Sequence, residues 1–147
     1  MFAPKVTGQV DVVTADVLQT RLANASDTTF VVNLWATWCK PCVAELPNFE
    51  RLSREGASRH IKVLLVSVDA KKDREPKLEP FVAKRGITAE VVLLWPVTVD
   101  GIDSIWSGAI PATIIVKGAR RRFYEQEFTY YELKHTVDEF IKSSTKP

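Results

Sequence analysis

The sequence predicts an α/β fold in which helices cover both faces of a central mixed β-sheet. Two apolar segments rich in Val, Ile and Leu, residues 29–36 and 61–68, have the composition of strands buried on both faces. A helical pattern lies between them, and a hairpin pattern followed by a helical pattern ends the chain. This order of strand, helix, strand, helix, hairpin and helix gives a three-layer sandwich.

Helical periodicity defines two elements in the first half of the chain. Thr14 can cap a helix that runs to about Leu22. A longer helix is predicted over residues 41–56, with Gly56 as its stop signal. The apolar positions that define these two helices are Val17, Leu18 and Leu22 in the first, and Val43, Leu46, Phe49 and Leu52 in the second.

The second half of the chain continues the alternation. Residues 80–85 read as the end of a helix closed by Gly86, and residues 91–94 as a short strand. Strands at 112–117 and 122–128, joined by a tight turn through Gly118, form the predicted antiparallel hairpin. The closing helix, residues 130–142, carries Leu133, Val137, Phe140 and Ile141 on one face.

Composition indicates one globular domain over residues 1–147, with 46% hydrophobic and 26% charged residues. We expect residues 1–10 and 143–147 to be frayed, and the polar stretch 71–77 is the one candidate linker. The formal net charge of +2 argues against a nucleic-acid or membrane-surface partner. The run Arg120, Arg121, Arg122 is interpreted as a solvated hairpin turn in preference to a binding patch.

The only two cysteines stand in the segment Trp38-Cys39-Lys40-Pro41-Cys42, where a buried strand gives way to a helix. Their spacing puts both sulfurs on one side of a first helical turn, close enough for a disulfide that opens and closes without refolding. The helix N-terminus favours a thiolate at Cys39, which makes Cys39 the expected nucleophile. Lys40 adds a positive charge, and Pro41 fits an early helical position that needs no N–H.

Two other uses of the cysteine pair are weaker. A structural disulfide gains little from so short a loop, because the entropy removed from the unfolded chain grows with loop length. A zinc site needs two more ligands, and His60 and His135 stand alone without a paired ligand spacing. We therefore expect no metal site, and we interpret each histidine as a solvated or core side chain.

Four separated features resemble the thioredoxin superfamily over nearly the whole chain. They are the strand that ends in Trp35-Ala36-Thr37-Trp38, the Cys39/Cys42 pair, Pro47 five residues beyond Cys42, and Ile110-Pro111 before a strand. The resemblance implies that the Ile110–Pro111 bond is cis and faces the disulfide, which an X-Pro bond adopts at a cost of about 0.5–1 kcal/mol. Ile110 could then pair with an extended client peptide and lay its cysteine against Cys39.

Two departures from plain thioredoxin resemble the TlpA and ResA branch of exported thiol-disulfide oxidoreductases. The 69 residues from Cys42 to Pro111 leave room for an extra helix and strand, for which residues 77–97 are the candidates. Asn33 occupies the place of the buried aspartate of plain thioredoxin, and Glu45 lies one helical turn beyond Cys42. If Glu45 is partly buried, its raised pKa suits it to accept the Cys42 proton; a solvated helix glutamate is the alternative.

The resemblance implies dithiol–disulfide exchange with protein clients, a reaction that needs no organic cofactor. We expect a monomeric reductase that is re-reduced by a membrane or soluble thiol donor, with apocytochrome thiols as one type of client in that branch. Its expected location is extracytoplasmic, with a leader or anchor absent from this chain; a cytoplasmic location is the alternative. Trp38, and Trp106 unless it is core, should form apolar surface beside the sulfurs.

Three competing functions remain at this point. The first is a disulfide oxidase or isomerase of the same fold, because sequence does not fix the reduction potential. The second is a non-catalytic binding module that docks partners through Trp38, Ile110 and Pro111, against which the retention of both cysteines argues. The third is a peroxidase, which is weaker because the environment of a lone peroxidatic cysteine is absent.

Overall fold

The computed structural model describes residues 8–25 and 27–143. Within them the strands are β1 (Asp11–Val13), β2 (Thr29–Trp35), β3 (Ile61–Ser67), β4 (Glu90–Leu94), β5 (Ala112–Lys117) and β6 (Arg120–Tyr124). The α-helices are α1 (Ala15–Asn24), α2 (Lys40–Gly56), α3 (Glu79–Lys84), α4 (Val99–Ile102) and α5 (Tyr130–Ser143). Short 3₁₀ or π turns occupy Ala57–Arg59, Lys71–Asp73 and Arg74–Leu78.

The six strands form one mixed sheet in the order β1-β4-β3-β2-β5-β6. Strands β1, β4, β3 and β2 are parallel to one another, whereas β5 is antiparallel to β2 and β6 is antiparallel to β5. Every residue of the central strand β2 is buried, which explains its continuous apolar sequence. The carboxyl ends of β2, β3 and β4 therefore meet at one edge of the sheet, where the cysteine segment begins.

Helices cover both faces of this sheet, as predicted. Alternate residues of β2 point to opposite faces, so Val31 and Trp35 belong to one hydrophobic core and Val32 and Leu34 to the other. The first core is completed by α2 and α5, and the second by α1 and α4. The three-layer α/β sandwich and the helix and strand inserted before the hairpin, α3 and β4, are thus confirmed.

Several local predictions were wrong. Strand β1 was not predicted, because it has only three residues and is a strand only through its pairing with β4. Residues 71–77 form helical turns and no linker, and Leu78 at their end is fully buried. Val17 is 57% exposed, so the buried face of α1 consists of Leu18 and Leu22.

The three consecutive arginines lie in strand β6 and do not form the solvated turn we expected. The Arg120 guanidinium lies 4.2 Å from the Phe140 ring centroid and donates to the Ser143 hydroxyl of α5. Arg121 donates to the Ile102 carbonyl and to the Gln19 side chain. These two arginines therefore fasten the hairpin to α5 on one face and to α1 and α4 on the other.

The expectation of frayed ends falls mostly outside the described residues, since residues 1–7 and 144–147 are not among them. Val10, however, is fully buried, and its N–H donates to the Glu79 carboxylate at 2.8 Å. Packing therefore extends further toward the start of the chain than we expected. Among the described residues, no helix combines the length and the apolar character that a membrane crossing requires.

Candidate active site

The cysteine segment connects the carboxyl end of β2 to the first turn of α2. Cys39 is the N-cap of α2, and its N–H donates to the Ala36 carbonyl across the connecting loop at 3.1 Å. Cys39 and Cys42 form a disulfide with a Cα–Cα distance of 5.3 Å. The sequence prediction that the pair lies in the first turn of a helix is confirmed.

The two sulfurs differ in their surroundings. Cys39 is 6% exposed, whereas Cys42 is fully buried. The backbone N–H of Cys42 donates to Cys39 Sγ at 3.3 Å, so the unpaired amides of the helix start point at that sulfur. In the reduced pair these amides and the helix dipole would favour a thiolate at Cys39. The geometry thus suits Cys39 to attack a disulfide and Cys42 to resolve the mixed disulfide that results.

Lys40 and Pro41 are both exposed at the start of α2. Pro41 stands among the first helical positions, where a missing N–H leaves no hydrogen bond broken. Neither residue covers the disulfide from within the core.

The Ile110–Pro111 peptide bond is cis, as the resemblance to thioredoxin implied. Pro111 is buried directly before β5, and Ile110 is half-buried. The Ile110 carbonyl oxygen lies 4.0 Å from Cys39 Sγ. The tertiary structure therefore brings together two segments that are 71 residues apart in sequence.

The two tryptophans predicted beside the sulfurs have different environments. Trp38 is 68% exposed, immediately before Cys39, and is the apolar surface that was expected. Trp106 is only 3% exposed and belongs to the second hydrophobic core, which is the alternative we had left open. Its indole N–H donates to the Ala109 carbonyl at 2.7 Å, so Trp106 supports the segment that precedes Ile110.

Glu45 is 3% exposed and lies on the same side of α2 as Cys42. Its Oε2 accepts from the Phe128 backbone N–H at 2.8 Å, and its Oε1 accepts from Asn33 Nδ2 at 3.1 Å. Burial raises the pKa of Glu45 to about 7, and these two hydrogen bonds only partly oppose the rise. A solvated helix glutamate is thereby excluded, and the carboxyl can exchange a proton near neutral pH.

Asp69 is a buried residue near the cysteine segment that the sequence analysis missed. Its carboxylate accepts from the Thr37 hydroxyl at 2.7 Å, from the Thr37 N–H and from the Ser67 hydroxyl at 2.6 Å. The loop that leads to Cys39 is thus fastened to the end of β3. The available signal was an aspartate directly after a buried strand, at the sheet edge that also carries the cysteines.

Both histidines lie on the surface, with His60 in a left-handed turn after the Ala57–Arg59 segment. Across residues 8–25 and 27–143, no group of three or more histidines, cysteines and carboxylates could hold a metal ion.

Comparison with known proteins matches residues 2–118 to the AhpC/TSA family. The thioredoxin-like protein YneN of Bacillus subtilis is 28% identical over 122 residues, which are 80% of this chain and 68% of YneN. The thiol-disulfide oxidoreductase ResA of Geobacillus thermodenitrificans is 31% identical over 91 residues, which are 58% of this chain and 46% of ResA. The chain therefore spans about half the length of this second relative.

The fold also matches solved structures. The thioredoxin family thiol:disulfide interchange protein of Chlorobium tepidum superposes with a TM-score of 0.68 at 20% identity, over 82% of this chain and 83% of that one. With the cysteine pair at the start of α2 and the buried proline before β5, this similarity establishes a thioredoxin fold. The chain belongs to the AhpC/TSA family and has the thioredoxin-like fold of the thiol-disulfide oxidoreductases to which it is similar.

Proposed function

We propose that the protein catalyses thiol–disulfide exchange with protein clients through Cys39 and Cys42. The observation that carries the proposal is a disulfide at the start of a helix, with the Ile110 carbonyl 4.0 Å from Cys39 Sγ. The arrangement combines a sulfur that the helix amides favour as a thiolate with a partner sulfur held within bonding distance. The naming of ResA as a thiol-disulfide oxidoreductase supports the same activity.

The proposed reaction is a reduction of a client disulfide. The Cys39 thiolate attacks one client sulfur, the client disulfide breaks, and the other client sulfur leaves as a thiolate. Cys42 then loses its proton to the Glu45 carboxylate and attacks Cys39 Sγ, which releases the second client thiolate. The client gains two electrons and the Cys39–Cys42 pair loses them, so a thiol donor must reduce the pair before the next turnover.

We propose that the client peptide lies against Trp38, Ile110 and Pro111. The exposed Trp38 ring supplies apolar surface next to Cys39, and the backbone of Ile110 is placed to pair with an extended segment. Lys40 and Pro41 act on the thiolate from the first turn of α2, through charge and helix geometry.

The reductase direction is tested by the reduction potential of the Cys39–Cys42 pair, measured by equilibration with glutathione. A potential well below that of the glutathione couple supports a reductase. A potential well above it would assign the protein to the oxidases or isomerases of the same fold.

Client exchange is tested separately by trapping. Cys42→Ser should accumulate mixed disulfides through Cys39, because the resolving thiol is missing. Cys39→Ser is the matched control and should trap nothing. Absence of mixed disulfides in the native compartment would contradict the exchange proposal and favour a binding module.

We further propose that the protein acts as a monomer outside the cytoplasm, free or tethered to the membrane. The support for the location is its similarity to ResA and to the exported thiol-disulfide oxidoreductases. Labelling of intact host cells with a membrane-impermeant thiol reagent, after mild reduction, tests the location. Protection of Cys39 until the cells are lysed would place the protein in the cytoplasm.

A further inference from the structure

Asn33, in the centre of β2, is fully buried beside the Glu45 carboxyl. Its Nδ2 donates to Glu45 Oε1 at 3.1 Å and lies 3.4 Å from both the Ala112 carbonyl and the Thr113 hydroxyl. Its Oδ1, in contrast, is buried with no hydrogen-bond partner among the described residues. A buried acceptor left unpaired costs about 1–3 kcal/mol, so the hydrogen-bonding capacity of Asn33 is only partly satisfied in this orientation.

The two oxygens of Glu45 differ in what can happen when the carboxyl takes up a proton. Oε2 accepts from the backbone N–H of Phe128, a donor that is fixed by the chain. Oε1 accepts from an amide whose oxygen and nitrogen exchange places when the side chain rotates about its last bond. A proton on Oε1 therefore gains an acceptor by this rotation, whereas a proton aimed at the Phe128 N–H would meet another donor.

We propose that Asn33 is a positioning residue whose side-chain amide rotates when the Glu45 carboxyl gains or loses a proton. Nδ2 donates to Oε1 of the carboxylate, and Oδ1 accepts from the O–H of the carboxylic acid. This inference rests on the proposed function, in which Glu45 accepts the Cys42 proton during resolution. Asn33 would then stabilise Glu45 both before and after that transfer, without carrying a charge itself.

The Glu45 carboxyl and the Thr113 hydroxyl can serve as partners in either orientation of the amide. Rotation gives up contacts of 3.4 Å to Ala112 and Thr113, at the long limit of hydrogen bonding. The Thr113 hydroxyl can instead donate to Oδ1, because a hydroxyl is both donor and acceptor. An aspartate in this place would add a second buried negative charge when ionised, and a leucine could neither donate nor accept.

The titratable groups that face Glu45 come from three segments. Cys42 lies one turn earlier on α2, and Glu127 precedes Phe128. Glu132 of α5 lines an open surface groove together with Glu45 and Glu127. The negative charge of Glu127 raises the pKa of Glu45, in the same direction as the larger effect of burial. With the pKa at about 7, both protonation states of Glu45, and hence both orientations of Asn33, are accessible near neutral pH.

The first test measures the pH dependence of resolution in a single turnover, as release of the client from the mixed disulfide. Asn33→Leu removes a hydrogen bond from both protonation states of Glu45, so the limb of the profile that reports Glu45 should stay nearly in place, while the rate of resolution falls about fivefold because the carboxyl is no longer held. In a Glu45→Gln background the same substitution should not lower the rate of resolution further. Asn48→Leu is the matched control, because Asn48 donates to the Phe128 carbonyl in the same groove and makes no hydrogen bond to Glu45.

An upward shift of about one pH unit in Asn33→Leu would show that Asn33 only donates to the carboxylate and does not rotate. An unchanged rate, or the same loss of rate in the Glu45→Gln background, would show that Asn33 does not position Glu45. Each of these outcomes would overturn the proposal. NMR of the oxidised wild-type protein provides a test that needs no variant, in case Asn33→Leu does not fold. The Nδ2 protons of Asn33 should lie against Thr113 above the midpoint of the Glu45 titration and leave it below that midpoint. Nδ2 protons that contact Thr113 at every pH would show that the amide does not rotate, whether or not the protein exchanges disulfides.

Discussion

The carboxylate of Asp69 accepts both the backbone N–H and the side-chain hydroxyl of Thr37, the hydroxyl at 2.7 Å. Thr37 stands two residues before Cys39, so this pair joins the loop of the reactive cysteine to the end of β3. Asp69 also accepts from the Ser67 hydroxyl. Because Asp69 is only 1% exposed, its burial shields these hydrogen bonds from water. The relationship holds the loop in place without direct contact between Asp69 and the reacting atoms.

Asp69→Asn should destabilise the protein and disturb the loop. Both carboxylate oxygens accept hydrogen bonds, Oδ1 from the Thr37 N–H and hydroxyl and Oδ2 from the Ser67 hydroxyl and the Thr37 N–H. An amide has one acceptor oxygen, so at least one of the Thr37 and Ser67 donors loses its partner, at a cost of about 2 kcal/mol. Urea unfolding measures this loss, and the rate of Cys39 alkylation measures the effect on the loop. Asp27→Asn, at an exposed turn, is the control; equal behaviour of the two variants would contradict the role of Asp69.

Cys39 should react before Cys42 when the reduced protein meets an alkylating reagent. Cys39 is 6% exposed, and its Sγ accepts a hydrogen bond from the Cys42 N–H, whereas Cys42 is fully buried. We expect at least about a tenfold difference in rate at neutral pH, read by mass spectrometry of the labelled peptide. Similar rates for the two cysteines would remove the basis for assigning Cys39 as the nucleophile.

Glu45 should make stability fall with rising pH. Its folded-state pKa is about 7, against an ordinary glutamate value of 4.5, so the folded protein binds the proton more tightly than the unfolded chain. The stabilising contribution is fully present below about pH 4.5 and is lost as the pH rises through about 7. Its full size is about 3 kcal/mol, from about 1.4 kcal/mol per pH unit.

The measurement is the urea unfolding free energy of the oxidised protein at several pH values, compared between wild type and Glu45→Gln. The difference between the two should decrease from pH 4.5 to pH 8, because only the wild type loses a buried proton. Glu139→Gln, an exposed substitution on α5, should show no such trend. A difference that is constant over this range would mean that Glu45 does not titrate there.

Glu45→Gln should also slow resolution while attack by Cys39 is less affected. The amide keeps the shape and polarity of the carboxyl but cannot take the Cys42 proton, and loss of a general base costs about a hundredfold or more. Stopped-flow measurement of mixed-disulfide formation and decay separates the two steps. Unchanged decay, with an unchanged pH profile, would show that water or another group accepts the proton.

Local patterns in the sequence were sufficient for the main strands, the long helices and the cysteine site. Continuous apolar runs mark β2 and β3 because a central parallel strand is buried on both faces. The Cys39 and Cys42 chemistry follows from their three-residue spacing at a helix start, since a helical turn repeats at that distance. Glu45 could be placed on the side of Cys42 by the same spacing.

Only the tertiary structure decided which of these residues are buried and what they contact. The place of β1 depends on pairing with β4, about 80 residues further along the chain, and no local pattern contains that partner. The burial of Glu45 depends on β2 and on Phe128, and the buried position of Asp69 depends on the loop at Thr37. Trp38 and Trp106 are the same residue type, yet one is exposed and the other is core, because burial is a property of the packed fold. Sequence periodicity sets which residues share a face, whereas long-range packing sets solvent access, and solvent access decides the pKa of Glu45.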